Sequence, residues 1–175
     1  MRDDKYNRYW HPIVHSYLSG HSALPLYLGL DKITFIRLIH AIGVEVDSND
    51  LETNQAELRG ELMVLRAQEH EQLHQLLQEN IDESVPFATE MATVISSGCM
   101  GSQHLWHDLG LPERPILSQL FSDYFPDLSA LNVNNMRWKR FLYRQLCENG
   151  GDYVCRSPSC ETCSSYSECF DNTSH

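Results

Sequence analysis

Apolar residues recur at a helical spacing through most of this chain, and this periodicity restricts its fold more than any other feature. The clearest stretch covers residues 51–78, where leucines follow one stripe and Glu, Gln and Arg occupy the other positions. The stripe consists of Leu58, Leu62, Leu65, Leu73, Leu76 and Leu77. We therefore predict one long helix whose leucines are buried against other helices. No segment shows the sustained alternation of apolar and polar residues that predicts a strand.

Weaker helical patterns, interrupted by Gly and Pro, predict the remaining helices. They cover residues 5–18, a helix capped by Asp31 and ended by Gly43, residues 87–98, residues 117–124 before Pro126, and residues 135–147. The predicted fold is all-α. It consists of a single helical domain of about six helices, residues 1–151, followed by an irregular Cys-rich metal-binding tail, residues 152–175.

Four cysteines in the tail have the spacing C-x4-C-x2-C-x5-C. They are Cys155, Cys160, Cys163 and Cys169. Thiolates are soft ligands that select zinc, copper(I) or iron-sulfur chemistry. Structural zinc usually takes two C-x2-C pairs separated by about a dozen residues or more, whereas this run has one such pair with a single thiol close on each side. The compact spacing favours an iron-sulfur cluster. A zinc site and a metal-free redox or disulfide tail remain as alternatives.

The charge of the chain excludes some classes of function. A formal net charge of -11 at pH 7 argues against nucleic-acid binding, which needs a basic surface. The charged N-terminus does not resemble a signal peptide, and no apolar run is long enough to span a membrane. We therefore expect a cytoplasmic protein, without nucleic-acid or membrane partners.

Basic residues are concentrated just before the cysteine run, in Arg137, Lys139, Arg140 and Arg144, and Arg156 lies within it. Helical spacing places Arg137, Arg140 and Arg144 on one face. This face is either simply solvated, or it stabilises an anionic cluster or attracts an anion such as an oxometalate.

Three stretches resemble, in order, the NifQ family of molybdenum-handling accessory proteins of nitrogen fixation. These are residues 99–111, residues 136–147, and the cysteine run ending in Cys169-Phe170. The resemblance implies a carrier, not an enzyme, that supplies molybdenum for assembly of the nitrogenase iron-molybdenum cofactor. It implies an iron-sulfur cluster of the 4Fe-4S or 3Fe-4S type and molybdenum, held by the four tail cysteines. The implied partners are the scaffold and iron protein of nitrogenase cofactor assembly, and molybdate or another molybdenum source.

Two points stay open under this resemblance. The cluster is bound by three or by four cysteines at once, and three would leave one corner for a metal in transit. Within residues 99–111, Cys99, His104, His107 and Asp108 either pack and hydrogen-bond locally or form a second surface that captures molybdate.

Two other functions compete with the carrier. One is a zinc-stabilised helical interaction module with no role in cluster transfer. The other is a metallopeptidase, because His70-Glu71-Gln-Leu-His74 matches the H-E-x-x-H zinc motif. Chance matches are common in a Glu- and His-rich helix and no third ligand is evident, so we interpret this segment as a solvated helix face.

Overall fold

The computed structural model describes residues 4–46 and 54–148 of the 175-residue chain, and every regular element in these ranges is helical. The α-helices are α1 (Asp4–Leu18), α2 (Lys32–Ala41), α3 (Asn54–Val64), α4 (Ala67–Glu79), α5 (Ala88–Gly98), α6 (Leu105–Leu109), α7 (Arg114–Tyr124), α8 (Pro126–Leu131) and α9 (Trp138–Glu148). A 3₁₀ turn, Leu26–Gly29, lies between α1 and α2. The all-α prediction is thus confirmed over the described residues. The predicted tail, residues 152–175, lies outside them.

The prediction of one long helix over residues 51–78 is wrong, because a turn at Leu65 and Arg66 separates α3 from α4. The amide of Arg66 donates to the carbonyl of Met63 at 2.9 Å. This bond spans three residues and closes a tighter turn than the four-residue bond of an α-helix. The second half of the leucine stripe is buried, as predicted: Leu73, Leu76 and Leu77. The first half is exposed, at 55% for Leu58, 54% for Leu62 and 82% for Leu65. The apolar periodicity continues across the turn, but the helix does not.

Most other helix predictions are confirmed, although the described residues form nine helices and not about six. The carboxylate of Asp31 accepts the amide of Thr34 at 2.9 Å and caps α2, as predicted. Pro126 ends α7 but also begins α8, since proline fits the first turn of a helix. Asn135 does not begin the last helix, because its φ of 52° is left-handed, and α9 begins at Trp138.

Aromatic side chains of α1 and α7 form much of the core. The indole of Trp10 donates to the hydroxyl of Tyr124 at 3.1 Å, and both rings are buried. The hydroxyl of Tyr9 donates to Asp123, which also accepts Arg8 at 3.0 Å. Helix α4 packs against both α5 and α9. None of the described helices combines the length and the apolar character needed to cross a bilayer.

The two halves of the leucine stripe are expected to differ in their contribution to stability. Leu77→Ala removes a fully buried side chain and should lower the free energy of unfolding by about 2–5 kcal/mol. Leu62→Ala truncates a side chain that is mostly exposed to water and should change the free energy of unfolding by less than about 0.5 kcal/mol. Urea unfolding of both variants measures the difference. Equal losses would contradict the difference in burial between the two halves of the stripe.

Candidate functional site

A basic cleft of about 530 Å³ lies between α9, the start of α4, and the segment that joins α5 to α6. Five basic side chains line it: Arg66, Arg114, Arg137, Lys139 and Arg140. Among the described residues that line it, Glu69 is the acidic one. In a chain with a formal charge of -11, this cleft concentrates positive potential in one concave place, which favours anions.

Trp138 determines how α9 presents its basic residues. Its ring is buried and stacks on Phe121, with the centroids 4.0 Å apart and the planes 3° from parallel. Its indole also donates to the hydroxyl of Ser118 at 3.2 Å. With Trp138 held against α7, the adjacent Arg137 and Lys139, followed by Arg140, line the cleft.

Arg114, the first residue of α7, holds the segment that leads into α9. Its guanidinium is buried and Nη2 donates to the carbonyls of Asn135 at 2.8 Å and Met136 at 3.0 Å. Arg114 therefore both positions Arg137 and contributes a cation to the inner wall of the cleft.

The carboxylate of Asp108, which is 3% exposed, is not among the described lining residues but supports Lys139, which does line the cleft. Its Oδ2 accepts Lys139 Nζ at 2.5 Å and the amide of Gln103 at 3.1 Å. The same ammonium donates to the carbonyl of Gly101 at 2.8 Å. A Cβ on Gly101 would come within 2.5 Å of the carboxylate, so this position requires glycine. For Asp108, the structure confirms the local hydrogen-bonding interpretation.

The structure brings Cys99 and His104 to the same cleft but not His107. His104 is exposed at the rim, and its Nε2 lies 3.5 Å from Nη1 of Arg137. Cys99 lines the cleft, but its thiol is almost completely buried. Burial raises the pKa of this thiol to about 12, so it stays protonated at neutral pH. His107 is exposed beside Trp106 and does not line the cleft.

His70 and His74, the histidines of the H-E-x-x-H match, hold α4 against α5. Nε2 of His70 lies 3.3 Å from the hydroxyls of both Ser96 and Ser97, and Nε2 of His74 lies 3.1 Å from the hydroxyl of Thr93. The two rings thus hydrogen-bond to different residues of α5. Within the described ranges, no three His, Cys, Asp or Glu side chains are grouped so that they could hold a metal ion.

The sequence predictions for this region are only partly met. Arg137, Lys139 and Arg140 do lie together, whereas Arg144 contacts Glu148 at 3.0 Å and is not among the described residues of the cleft. Sequence reasoning missed Arg66 and Arg114, because single arginines far from α9 in the chain carry no local signal. The four predicted ligands, Cys155, Cys160, Cys163 and Cys169, lie outside the described residues.

Acidification is expected to destabilise the protein through His70. Its pKa lies below the ordinary value of 6.5, because burial disfavours the charged ring and His74 repels it. As the pH falls through 6.5 the unfolded chain takes up this proton first, so the stabilisation is present above that pH and is lost below it. Urea unfolding at a series of pH values should show a smaller loss for His70→Gln than for the parent. Identical pH dependence would remove His70 as the cause.

Asp108→Asn tests the ion pair between Asp108 and Lys139. The substitution keeps the shape but leaves the ammonium of Lys139, which is 17% exposed, without its carboxylate. We expect a loss of about 3 kcal/mol in the free energy of unfolding. Glu71→Gln removes an equal charge from an exposed position of α4 and should cost less than about 0.5 kcal/mol. Similar values for both would show that the ion pair does not support the fold.

Comparison with known proteins gives a consistent result. The family model of NifQ matches residues 10–171 of the chain. Protein NifQ of Azotobacter vinelandii is 42% identical over 177 residues, which covers 97% of this chain and 91% of that protein. Protein NifQ of Klebsiella pneumoniae is 38% identical over 157 residues, which covers 89% of this chain and 92% of that protein. Protein NifQ of Rhodobacter capsulatus is 44% identical over 87 residues, which covers 50% of this chain and 48% of that protein. No solved structure matches the chain.

Proposed function

The chain belongs to the NifQ family, and from this premise we propose that it is an iron-sulfur and molybdenum-binding carrier that supplies molybdenum for the nitrogenase iron-molybdenum cofactor. Family membership implies a role in nitrogenase-related molybdenum metabolism. The proposal adds that the protein binds the metal and passes it on, and does not catalyse covalent substrate chemistry. Its partners are the scaffold and the iron protein of cofactor assembly, and its cargo comes from molybdate or another molybdenum source.

The observation that carries this proposal is the basic cleft beside α9. An acidic chain places five basic side chains around one cleft of about 530 Å³. Lys139 and Arg140 belong to α9, the described helix that precedes the cysteine run in the sequence. An oxometalate is an anion, and so is a cluster held by thiolates. Both gain from nearby cations, and electrostatic attraction also speeds their capture.

The tail cysteines are the proposed ligands of the cluster. The part of the chain that the structure describes groups no three residues of ligand type, so a cluster would have to be held elsewhere. Cys155, Cys160, Cys163 and Cys169 supply thiolates, the ligands that iron-sulfur clusters prefer. When bound, such a cluster would provide the metal-sulfur framework into which molybdenum is incorporated. Cys99 is a poor ligand by comparison, because its thiol is buried and protonated.

Metal analysis of protein purified without oxygen tests the carrier. We expect a brown protein that contains iron, sulfide and some molybdenum. Cys163→Ser should lose most of its iron, because it removes one thiolate from the central C-x2-C pair. The matched control is Cys147→Ser, which changes a thiol of α9 outside the cysteine run and should retain the metal content of the parent.

Metal analysis and a peptidase assay separate the carrier from the two competing functions. A colourless protein with one zinc would support the zinc-stabilised interaction module and contradict the carrier. Peptidase activity that is lost in Glu71→Gln would support the metallopeptidase, although His70 and His74 both bond to hydroxyls of α5.

A further inference from the structure

We propose that two copies of this chain associate through the outer faces of α2 and α3, with α2 of each copy packed against α3 of the other. A two-fold axis relates the copies, so the same contact forms twice. The outer face of α2 consists of Ile33, Ile36, Arg37 and His40, and the outer face of α3 consists of Leu58, Glu61, Leu62 and Leu65, the last in the turn directly after the helix. The proposal concerns an interaction surface and does not depend on the proposed metal chemistry.

Both outer faces repeat apolar residues at the spacing of one side of a helix. Each set has the spacing i, i+3, i+4, i+7, and every member is exposed. Ile33 is 71% exposed and Ile36 is 41% exposed, and the three leucines of the α3 face are exposed by more than half. Single exposed aliphatic residues are common on monomers, whereas rows of them on two helices are typical of a surface that binds another protein.

The inner faces of the same helices are already occupied by their own chain. Phe35 and Leu38 of α2 are buried in the core. On α3, the guanidinium of Arg59 donates to the carbonyl of Ser22. Both helices also pack against the same 3₁₀ turn, Leu26–Gly29. The two outer faces therefore belong to one region of the molecule, where a second copy can reach both.

Opposite charges determine which helices pair. Arg37 gives the outer face of α2 a positive charge, and Glu61 gives the outer face of α3 a negative one. Within the described residues, neither side chain forms an ion pair or a hydrogen bond. Pairing α2 with α2, or α3 with α3, would bring like charges together, whereas pairing α2 with α3 of a second copy brings opposite charges together. Charge complementarity thus favours the reciprocal arrangement.

The exposed apolar area limits the strength of the dimer. The five aliphatic residues of the two faces are 41% to 82% exposed and offer on the order of 500 Å² per copy. A standard stable interface buries about 800 Å² per partner, so this one belongs with the weak or transient interfaces. We therefore expect a dissociation constant in the micromolar range, roughly 1–100 µM.

Sedimentation velocity of the full chain over a range of concentrations tests the dimer, with reductant present so that cysteines do not cross-link. The average mass of the parent should rise with concentration towards that of two chains. Arg37→Glu places two like-charged pairs in the interface, and so does Glu61→Arg. Each variant should therefore associate at least tenfold more weakly than the parent. Circular dichroism of both verifies that these exposed substitutions leave the fold intact.

Mixing the two charge variants tests the reciprocal arrangement. In a mixed dimer, the new glutamate at position 37 of one copy meets the new arginine at position 61 of the other, and the unchanged Arg37 and Glu61 meet in the second contact. Both contacts then join opposite charges, so an equal mixture should regain the association of the parent although each variant alone does not. A mixture that stays monomeric would show that α2 does not pack against α3 of the other copy, and the proposal would be wrong.

Ile33→Ser with Leu65→Ser tests the apolar part of the contact. The double variant removes one aliphatic side chain from each face and should associate at least tenfold more weakly, because less apolar area is buried. Val133→Ser is the matched control, since Val133 lies between α8 and α9, is 82% exposed like Leu65, and should leave association unchanged. Equal weakening in the double variant and the control would contradict the proposed faces.

Two further outcomes would overturn the dimer. The first is a parent that stays monomeric up to about 1 mM, a concentration far above the expected dissociation constant. The second is association that is lost when the four tail cysteines are changed to serine but kept in both charge variants, since the tail would then hold the copies together. If the tail variant associates as the parent does and the charge variants do not, the contact lies in α2 and α3.

Discussion

The ion pair between Lys139 and Asp108 is the interaction on which the rest of the cleft depends. Two largely buried charges are stable only because they neutralise each other and because Gly101 and Gln103 provide further hydrogen bonds. The pair ties α9 to α6, and the bond from Lys139 to the carbonyl of Gly101 ties it to the segment after α5. Once α9 is held there, Arg137 and Arg140 have to lie at the mouth of the same cleft.

The cleft also links two features that are separate in the sequence. Cys99 and His104 lie near the end of α5, the basic residues lie around the start of α9, and both groups line one concave surface. The formal charge of -11 repels anions overall, so a place on this chain that favours anions requires a local reversal of the potential. The cleft supplies that reversal next to the helix that leads to the cysteine run.

Much of the fold was predictable because the apolar residues that a helix buries recur in the sequence at the helical period. The helical patterns around α1, α2, α5 and α7 were confirmed, as was the cap at Asp31. The prediction from the leucine stripe was wrong for its first half, since a regular pattern does not reveal that the helix is interrupted at Leu65 and Arg66. The interpretation of the H-E-x-x-H segment as a solvated helix face was wrong for its two histidines. They are half-buried and bond to Ser96, Ser97 and Thr93, and no motif encodes such partners.

The sequence by itself determined the all-α class, the family and the basic segment of α9, since each depends on residues close together in the chain. The ligand role of the four tail cysteines remains a prediction from their spacing. Only the tertiary structure showed that Arg66, Arg114 and Glu69 join Arg137 and Arg140 around one cleft, and that His107 does not. The reason is physical: a concave charged surface depends on how helices pack, and packing brings together residues whose separation in the chain carries no local signal.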